Sequence, residues 1–221
     1  MDILFVRHAE SEANAEGRLQ GRLDYPLSER GRAQARQLAG WLGKNQVGWD
    51  VAFTSPLRRA AETAALLSQV TGGPAAEAEP DLREISAGRM EGMTRDEMAE
   101  REPGFLSRGI TGLGDFSEYG GESYDDVQAR VTRLVDGWVE RHRASESRLL
   151  VVGHGGINFQ IFKFLVCRPV PRVCVVRMGN CSATKVRLRE RRGTFMGELV
   201  WHVPIQLMGE VGSADTGAVF R

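Results

Sequence analysis

Apolar and polar positions along this 221-residue chain fall into short blocks of differing period. Asp2 to Val6 is a brief apolar run closed by charge at Arg7, which predicts a buried strand leading into a loop. Polar and glycine-rich sequence follows to Leu27. Ser28 is then a natural N-cap for a helix to about Asn45, with Ala33, Leu38, Trp41 and Leu42 on its apolar face. Asp50 to Thr54 reads as a second strand. Ser55-Pro56 supplies an N-cap followed by proline at the first helical position, and Gly72-Gly73 stops that helix. From Leu82 to Gly121 the periodicity fades into surface excursions with one short helix at Thr94 to Arg101. Ser123, with Asp126 three residues on, has the form of a capping box. It opens a helix whose apolar positions are Val127, Val131, Leu134, Val135 and Trp138. Arg148 to Val152 is a third strand, and Gly153-His154-Gly155-Gly156 turns from it into a helix carrying Ile157, Ile161, Phe164 and Leu165. Strands at Ser182 to Leu188 and Glu198 to Val203 complete the pattern.

Strands that alternate with helices predict an α/β three-layer sandwich, its central sheet mostly parallel and flanked by helices. No internal repeat and no linker divides the chain. The expectation is one domain over residues 1–221, with 85–121 as an insertion and 205–221 as a tail. The formal net charge is zero, which favours neither nucleic acid nor an anionic membrane as the main partner. No apolar run reaches the length of a membrane span, and the N-terminal residues have neither a basic n-region nor an apolar core. Cys167, Cys174 and Cys181 form no Cys-x-x-Cys pair. Small buried thiols in a reducing cytoplasm fit them better than a disulfide framework or a zinc site. His142 and His202 lack any motif and read as surface or packing residues. The basic stretch Lys185 to Arg192 reads as a strand with a wet face followed by a charged turn.

In open α/β sheets, ligands lie beyond the carboxyl ends of the strands. Two such ends deliver histidines, His8 after Arg7 and His154 after Gly153. A third leads into the helix carrying Arg58-Arg59, and the loop after Leu82-Arg83 carries Glu84. Two histidines, several arginines and a carboxylate on one rim suit phosphoryl transfer, which needs in-line placement and stabilised oxygen charge more than covalent machinery. Arginine forks match phosphate oxygens, and flanking arginines keep a nucleophilic imidazole neutral.

These residues resemble the histidine phosphatase superfamily, the phosphoglycerate-mutase-like enzymes. The opening motif stands as Val6-Arg7-His8-Ala9-Glu10-Ser11 with Asn14, followed by Gly17-Arg18-Leu19-Gln20-Gly21 and Asp24-Tyr25-Pro26-Leu27-Ser28. Ser55-Pro56-Leu57-Arg58-Arg59-Ala60 with Thr63-Ala64, Leu82-Arg83-Glu84-Ile85 with Glu91-Gly92, and Gly120-Gly121-Glu122-Ser123 follow in family order. Val151-Val152-Gly153-His154-Gly155-Gly156 and Asn180-Cys181-Ser182 complete the set, over residues 1 to about 203. The resemblance implies that His8 attacks phosphorus and becomes a phosphohistidine. Arg7, Arg59 and His154 would hold the phosphoryl oxygens, with Asn14, Gln20, Gly21 and Gly155 in the phosphate pocket. Glu84 would protonate the leaving oxygen and then deprotonate water. The glycines after His154, at a helix N-terminus, would add backbone N–H groups for the phosphate. No metal and no cofactor is implied. One departure is Ala9, where the family usually has glycine; alanine is tolerable there if φ stays negative, and it would add a methyl group near the phosphate.

The implied activity is a phosphomonoesterase acting on a small phosphorylated metabolite, alone or as a homodimer. A cofactor-dependent phosphoglycerate mutase is the alternative. Residues 93–122 are short and carry Arg95, Arg101 and Arg108 singly, without the adjacent arginines by which family mutases grip a carboxylate. An inactive binding module of the same fold would be expected to lack one of the site residues, and none is missing. Specificity is expected in the insertion, where Arg89, Arg95, Arg101 and Arg108 mingle with Met90, Met93, Phe105 and Phe116. The tail from Ile205 onward is expected near the mouth of the site.

Overall fold

The computed structural model describes residues 1–104, 115–143, 145–167, 176–191 and 194–208. Its centre is a six-stranded sheet of order β3-β2-β4-β1-β5-β6. The strands are β1 (Asp2–Arg7), β2 (Val51–Thr54), β3 (Glu77–Ala78), β4 (Arg148–Gly153), β5 (Ala183–Arg191) and β6 (Thr194–Val203). β1, β2, β3 and β4 are mutually parallel, and β5 and β6 extend the sheet antiparallel. The mostly parallel sandwich expected from the pattern is therefore present, with two strands more than the parallel set added at one edge.

Alternation along β1 divides the core. Leu4 and Val6 pack with Leu38, Leu42, Ala64 and Leu67 of α2 (Glu29–Lys44) and α3 (Arg58–Thr71). Ile3 and Phe5 pack on the other face with Val131, Leu134, Trp138, Ile157 and Ile161, from α5 (Tyr124–His142) and α6 (Gly155–Val166). Neighbouring residues of a strand point to opposite faces, so one apolar run serves both layers. Two short helices, α1 (Glu12–Ala15) and α4 (Arg95–Arg101), lie outside these layers.

Several boundaries follow the expected caps. Ser28 accepts from the Gly31 N–H at the start of α2, Gly72 ends α3 at φ 71°, and Ser123 with Asp126 forms the capping box of α5. Others differ. Ala33 is exposed, and Ala35 and Ala39 share the inner face of α2 with Leu38 instead. The third helix begins at Arg58 with Leu57 as its uncapped N-terminal residue, not at Ser55-Pro56. The Ser55 hydroxyl bonds His154, 99 residues away, and accepts locally from the Leu57 N–H at 3.3 Å, just ahead of the helix. The stretch after β3 is no mere surface excursion: Ala87, Met90, Met98 and Tyr119 bury one another beside Leu19 in a small core of their own. Ile205 and Met208 pack into the α2–α3 core, the cluster that also holds Ala9. The rest of the expected tail (209–221), together with Phe105, Arg108, Cys174 and Arg192, lies outside the described residues.

His142 lies edge-on to Phe53, and His202 bonds Thr184 through Nδ1, as packing residues do. Among the described residues, no helix is long and apolar enough to cross a membrane.

Candidate active site

β1, β2 and β4 run in the same direction and end at nearly the same level, Arg7 opposite Gly153 and Thr54 opposite Val152. The next residues, His8, Ser55 and His154, therefore emerge together on one rim. The His8 and His154 rings meet edge to face with centroids 5.0 Å apart, and both are buried.

The chemistry of His8 follows from its backbone. Its Nδ1 lies 2.7 Å from its neighbour's carbonyl, Ala9 O. A carbonyl only accepts, so Nδ1 carries the proton and Nε2 keeps its lone pair. Burial, then the charges of Arg7 and Arg59, hold the ring well below the ordinary histidine range. Three contacts fix the segment. Thr63 Oγ1 accepts from the Ala9 N–H at 3.0 Å, the His8 N–H reaches Gly153 O at 2.9 Å, and Asn180 Nδ2 donates to His8 O at 3.1 Å. Ala9 stays out of the left-handed region, and its methyl belongs to the α2–α3 core. It does not crowd the rim, so the departure from glycine has a simple packing account.

Arg59 is fully buried and is the hub of the site. Its Nε donates to His154 Nδ1 at 3.2 Å, Nη1 to Leu23 O at 2.7 Å and Nη2 to Gly21 O at 2.8 Å. Burial lowers its pKa to about 10, so it stays cationic at neutral pH. Because Arg59 can only donate, His154 Nδ1 must accept, which places the proton of the neutral ring on Nε2, 2.8 Å from Ser55 Oγ. Both nitrogens of His154 are thus engaged, and burial keeps it neutral. Arg59 retains one N–H on each Nη, enough for two phosphoryl oxygens. Arg7 donates through Nη1 to Met178 O at 2.8 Å, while its buried Nε has no partner. Gly155 lies against that guanidinium, where a Cβ would sit 3.4 Å from it, an ordinary contact.

Glu84 is held by backbone. Its Oε1 accepts from the Ile85 and Ile157 N–H groups at 3.1 and 3.0 Å, and Oε2 from Gly156 at 3.1 Å. The Gly156 and Ile157 amides at the start of α6 thus engage Glu84, a use the sequence did not suggest. A Cβ at Gly156 would come within 2.7 Å of Glu84 Oε1 and push the carboxylate aside. Asn14 accepts at Oδ1 from Ser11 and Asn180, and Gln20 accepts at Oε1 from Ser11 Oγ. The amide nitrogens of both remain as donors. Gly21 adopts φ 51°, a conformation suited to glycine, and presents its carbonyl to Arg59.

Some residues near the site escaped sequence reasoning. Arg130 donates to Asp81 O and Arg83 O at 2.6 Å and to Glu122 Oε2 at 2.9 Å, which fixes the loop that carries Glu84. Arg22 reaches Glu122 Oε1 at 3.0 Å. Its place directly after Gly21 in a motif already singled out was the available signal. By contrast, the insertion's Arg89 is tied to Glu102 at 2.8 Å and stacks over Tyr119. Arg58 points away from Arg59, as adjacent helix residues do, and is exposed. Among the described residues, no cluster of His, Cys, Asp or Glu is arranged to hold a metal ion.

The sequence model of the histidine phosphatase superfamily, branch 1, matches residues 3–197. The chain belongs to that superfamily. It is 32% identical to a metal-independent phosphoserine phosphatase of Arabidopsis thaliana, over 86% of this chain and 78% of that protein. It is 29% identical to a "probable phosphoglycerate mutase" of Cronobacter sakazakii, over 99% and 97% of the two chains. Among solved structures, a mycobacterial glucosyl-3-phosphoglycerate phosphatase complexed with VO3 superimposes with a TM-score of 0.77. Identity there is 31%, over 90% of this chain and 98% of that one. As a histidine phosphatase, the chain is an enzyme of a fold whose relatives include phosphatases of small phosphorylated metabolites.

Proposed function

We propose that the chain is a metal-independent phosphomonoesterase acting on a small phosphorylated metabolite through a phosphohistidine on His8. The observation that carries this reading is the neutral His8 ring, its proton fixed on Nδ1 by Ala9 O, with its Nε2 lone pair beside Arg7 and Arg59. Nε2 attacks phosphorus as the bond from phosphorus to the ester oxygen breaks. Arg7 Nε and the remaining N–H groups of Arg59 take the equatorial oxygens, with Asn14 and Gln20 donating from the side. His154 orients Arg59 and can turn its Nε2–H from Ser55 to an oxygen. Glu84, as the carboxylic acid, protonates the leaving oxygen. Glu84 then accepts a proton from water as water attacks phosphorus, breaking the bond to His8 and releasing phosphate. Cys181 is a buried thiol whose pKa burial pushes up, an inert group that suits a reducing, cytoplasmic setting.

The end-to-end match to the Cronobacter protein favours a second reading, a phosphoglycerate mutase. A mutase must keep the phosphorylated enzyme from water and grip the substrate carboxylate. The adjacent arginine pair by which family mutases grip it is absent from residues 93–122, and Arg89 of the insertion is occupied by Glu102. Hydrolysis therefore ranks first.

A panel of phosphomonoesters assayed without metal, then with chelator, tests the proposal. Expected are steady release of phosphate unaffected by chelator and an acid-labile phosphoenzyme trapped by rapid quench, both lost in His8→Ala. Loss of activity with chelator would contradict metal independence. Interconversion of phosphoglycerates dependent on a bisphosphoglycerate primer would move the reading to mutase. Equal inactivity of wild type and His8→Ala would leave a binding module.

A further inference from the structure

We infer that Arg22 is a specificity-determining residue that binds an anionic group, a carboxylate above all, on the leaving alcohol of the substrate. The inference rests on the phosphomonoesterase reading and names the substrate class within it. It starts from where the site's cations stand. Arg7 and Arg59 flank His8 and serve the phosphoryl group. Arg22 stands beside Glu84, the proposed proton donor to the leaving oxygen: its Nε lies 3.5 Å from the Glu84 backbone carbonyl.

The backbone around Arg22 is rigid, because buried Arg59 grips the carbonyls of Gly21 and Leu23 on either side of it. The side chain is 34% exposed, so it is both positioned and reachable. Its charge is also incompletely neutralised. Arg22 and Arg130 share one carboxylate, Glu122, which gives Oε2 to Arg130 and to the Ser86 N–H and only Oε1 to Arg22. Among the described residues, Nη1 of Arg22 makes no hydrogen bond. Other arginines of this region differ. Arg89 is closed by Glu102, and Arg18 by Glu16, Glu97 and Gly92 O. A carboxylate on the leaving group would find in Arg22 a planar donor with an open edge and an unbalanced positive charge behind it.

Matched substrates isolate this contact. Phosphoserine differs from phosphoethanolamine by one carboxylate, and 3-phosphoglycerate carries a carboxylate where glycerol 3-phosphate carries a hydroxymethyl group. Wild type should prefer the carboxylated member of each pair. Arg22→Gln should erase roughly 10- to 100-fold of that preference, mainly through KM, as expected for losing one charge-assisted contact. Hydrolysis of an aryl phosphate with an uncharged leaving group should stay near wild type in the variant, and Arg22→Lys should restore part of the preference. Equal losses on both members of a pair would overturn the inference, and make Arg22 a prop for Glu122 and the Glu84 loop. So would a wild type with no preference. If wild type hydrolysed none of these esters, the phosphomonoesterase reading would fail by itself. Calorimetric binding of 3-phosphoglycerate and glycerol 3-phosphate to His8→Ala, with and without Arg22→Gln, would still read the contact. An unchanged affinity ratio there would overturn it.

Discussion

At the amino ends of the strands, Asp2 lies in register between Arg148 on β4 and Arg187 on β5, and Asp50 sits beside Arg148 at the start of β2. At the carboxyl ends of the same strands stand Arg7, His8 and His154. Both rims are charged, yet they handle charge in opposite ways. On the first, every cation named has a carboxylate: Arg148 forks onto Asp50, and Lys185 and Arg187 bond Asp2. The arginine hydrogen bonds hold both aspartates at about 2. On the second rim Arg59 is buried and Arg7 partly so, and they bond carbonyls, a histidine or nothing, while Glu84 takes backbone amides. Burying arginine without a carboxylate costs desolvation that no ion pair returns. Such an arrangement in a folded chain points to an anion that arrives from outside.

Removing the hub should break this contrast most severely. Arg59→Ala leaves Gly21 O, Leu23 O and His154 Nδ1 without their donor. Its unfolding free energy should fall by about 2–4 kcal/mol, the scale for several buried groups left unsatisfied. Turnover should fall by about 10³- to 10⁵-fold, as for other arginines that steady a transferring phosphoryl group. Denaturant unfolding and a phosphate-release assay measure the two; a variant as stable as wild type would mean Arg59 does not organise the rim.

Glu84→Gln separates chemistry from scaffold. An amide nitrogen cannot accept from Gly156, so about 1 kcal/mol of stability should go. The larger effect is kinetic: kcat for alkyl phosphates should drop about 10²- to 10⁴-fold, the usual weight of general acid–base catalysis. Aryl phosphates, whose leaving groups need less protonation, should suffer less. Equal losses for both classes would remove Glu84 from the proton path.

Acid should also tell the rims apart. His8 and His154 are held neutral, by burial first and neighbouring cations second. Unfolded, both would titrate near the ordinary value of about 6.5. Folded pKa values below unfolded ones mean that this stability is full above about pH 6.5 and is lost as pH falls toward the folded values. Each ring contributes at most about 1.4 kcal/mol per pH unit within that window. The aspartates of the other rim act lower, losing their contribution only between about pH 4 and their folded value of about 2. Unfolding followed from pH 8 to pH 4 should therefore decline first on the histidines' account, and His154→Gln should flatten that decline.

How much of this was open to sequence reading varies with distance along the chain. The strand at Asp2 to Val6 and the caps at Ser28 and Ser123 rest on residues within a few positions of each other, so pattern reveals them. β3 is two exposed residues that exist only as partners of Phe53 and Thr54, too short to show a period. The small core of Met90, Met98 and Tyr119 leans on Leu19, far back in the chain. In the site, motif identity pointed to His8, Arg59 and Glu84, but two of their engagements were invisible. Gly21 O and Leu23 O for Arg59, and the Gly156 and Ile157 amides for Glu84, are backbone groups, and backbone carries no letter. Ser55 shows the converse: its local bond to the Leu57 N–H is present, but the sequence hid its second partner at another strand's end.

The smallest expected effect bears most directly on the contrast between the rims. Asp50 and Arg148 make a forked ion pair, two side-chain bonds at 3.1 and 2.6 Å and a third to the Arg148 N–H at 2.8 Å. Geometry alone would make it seem indispensable. Both side chains are about half exposed, 51% and 46%, so water competes for each and the charges are screened. Asp50→Ala should therefore cost only about 1 kcal/mol, or a Tm lower by about 2–4 °C for a chain of this size. Added salt should weaken the pair in wild type and shrink that difference. Turnover and KM should stay unchanged, because the full length of β2 and β4 separates the pair from His8. A Tm loss comparable to that of Arg59→Ala would mean that good geometry outweighs exposure, and that burial is not what distinguishes the two rims.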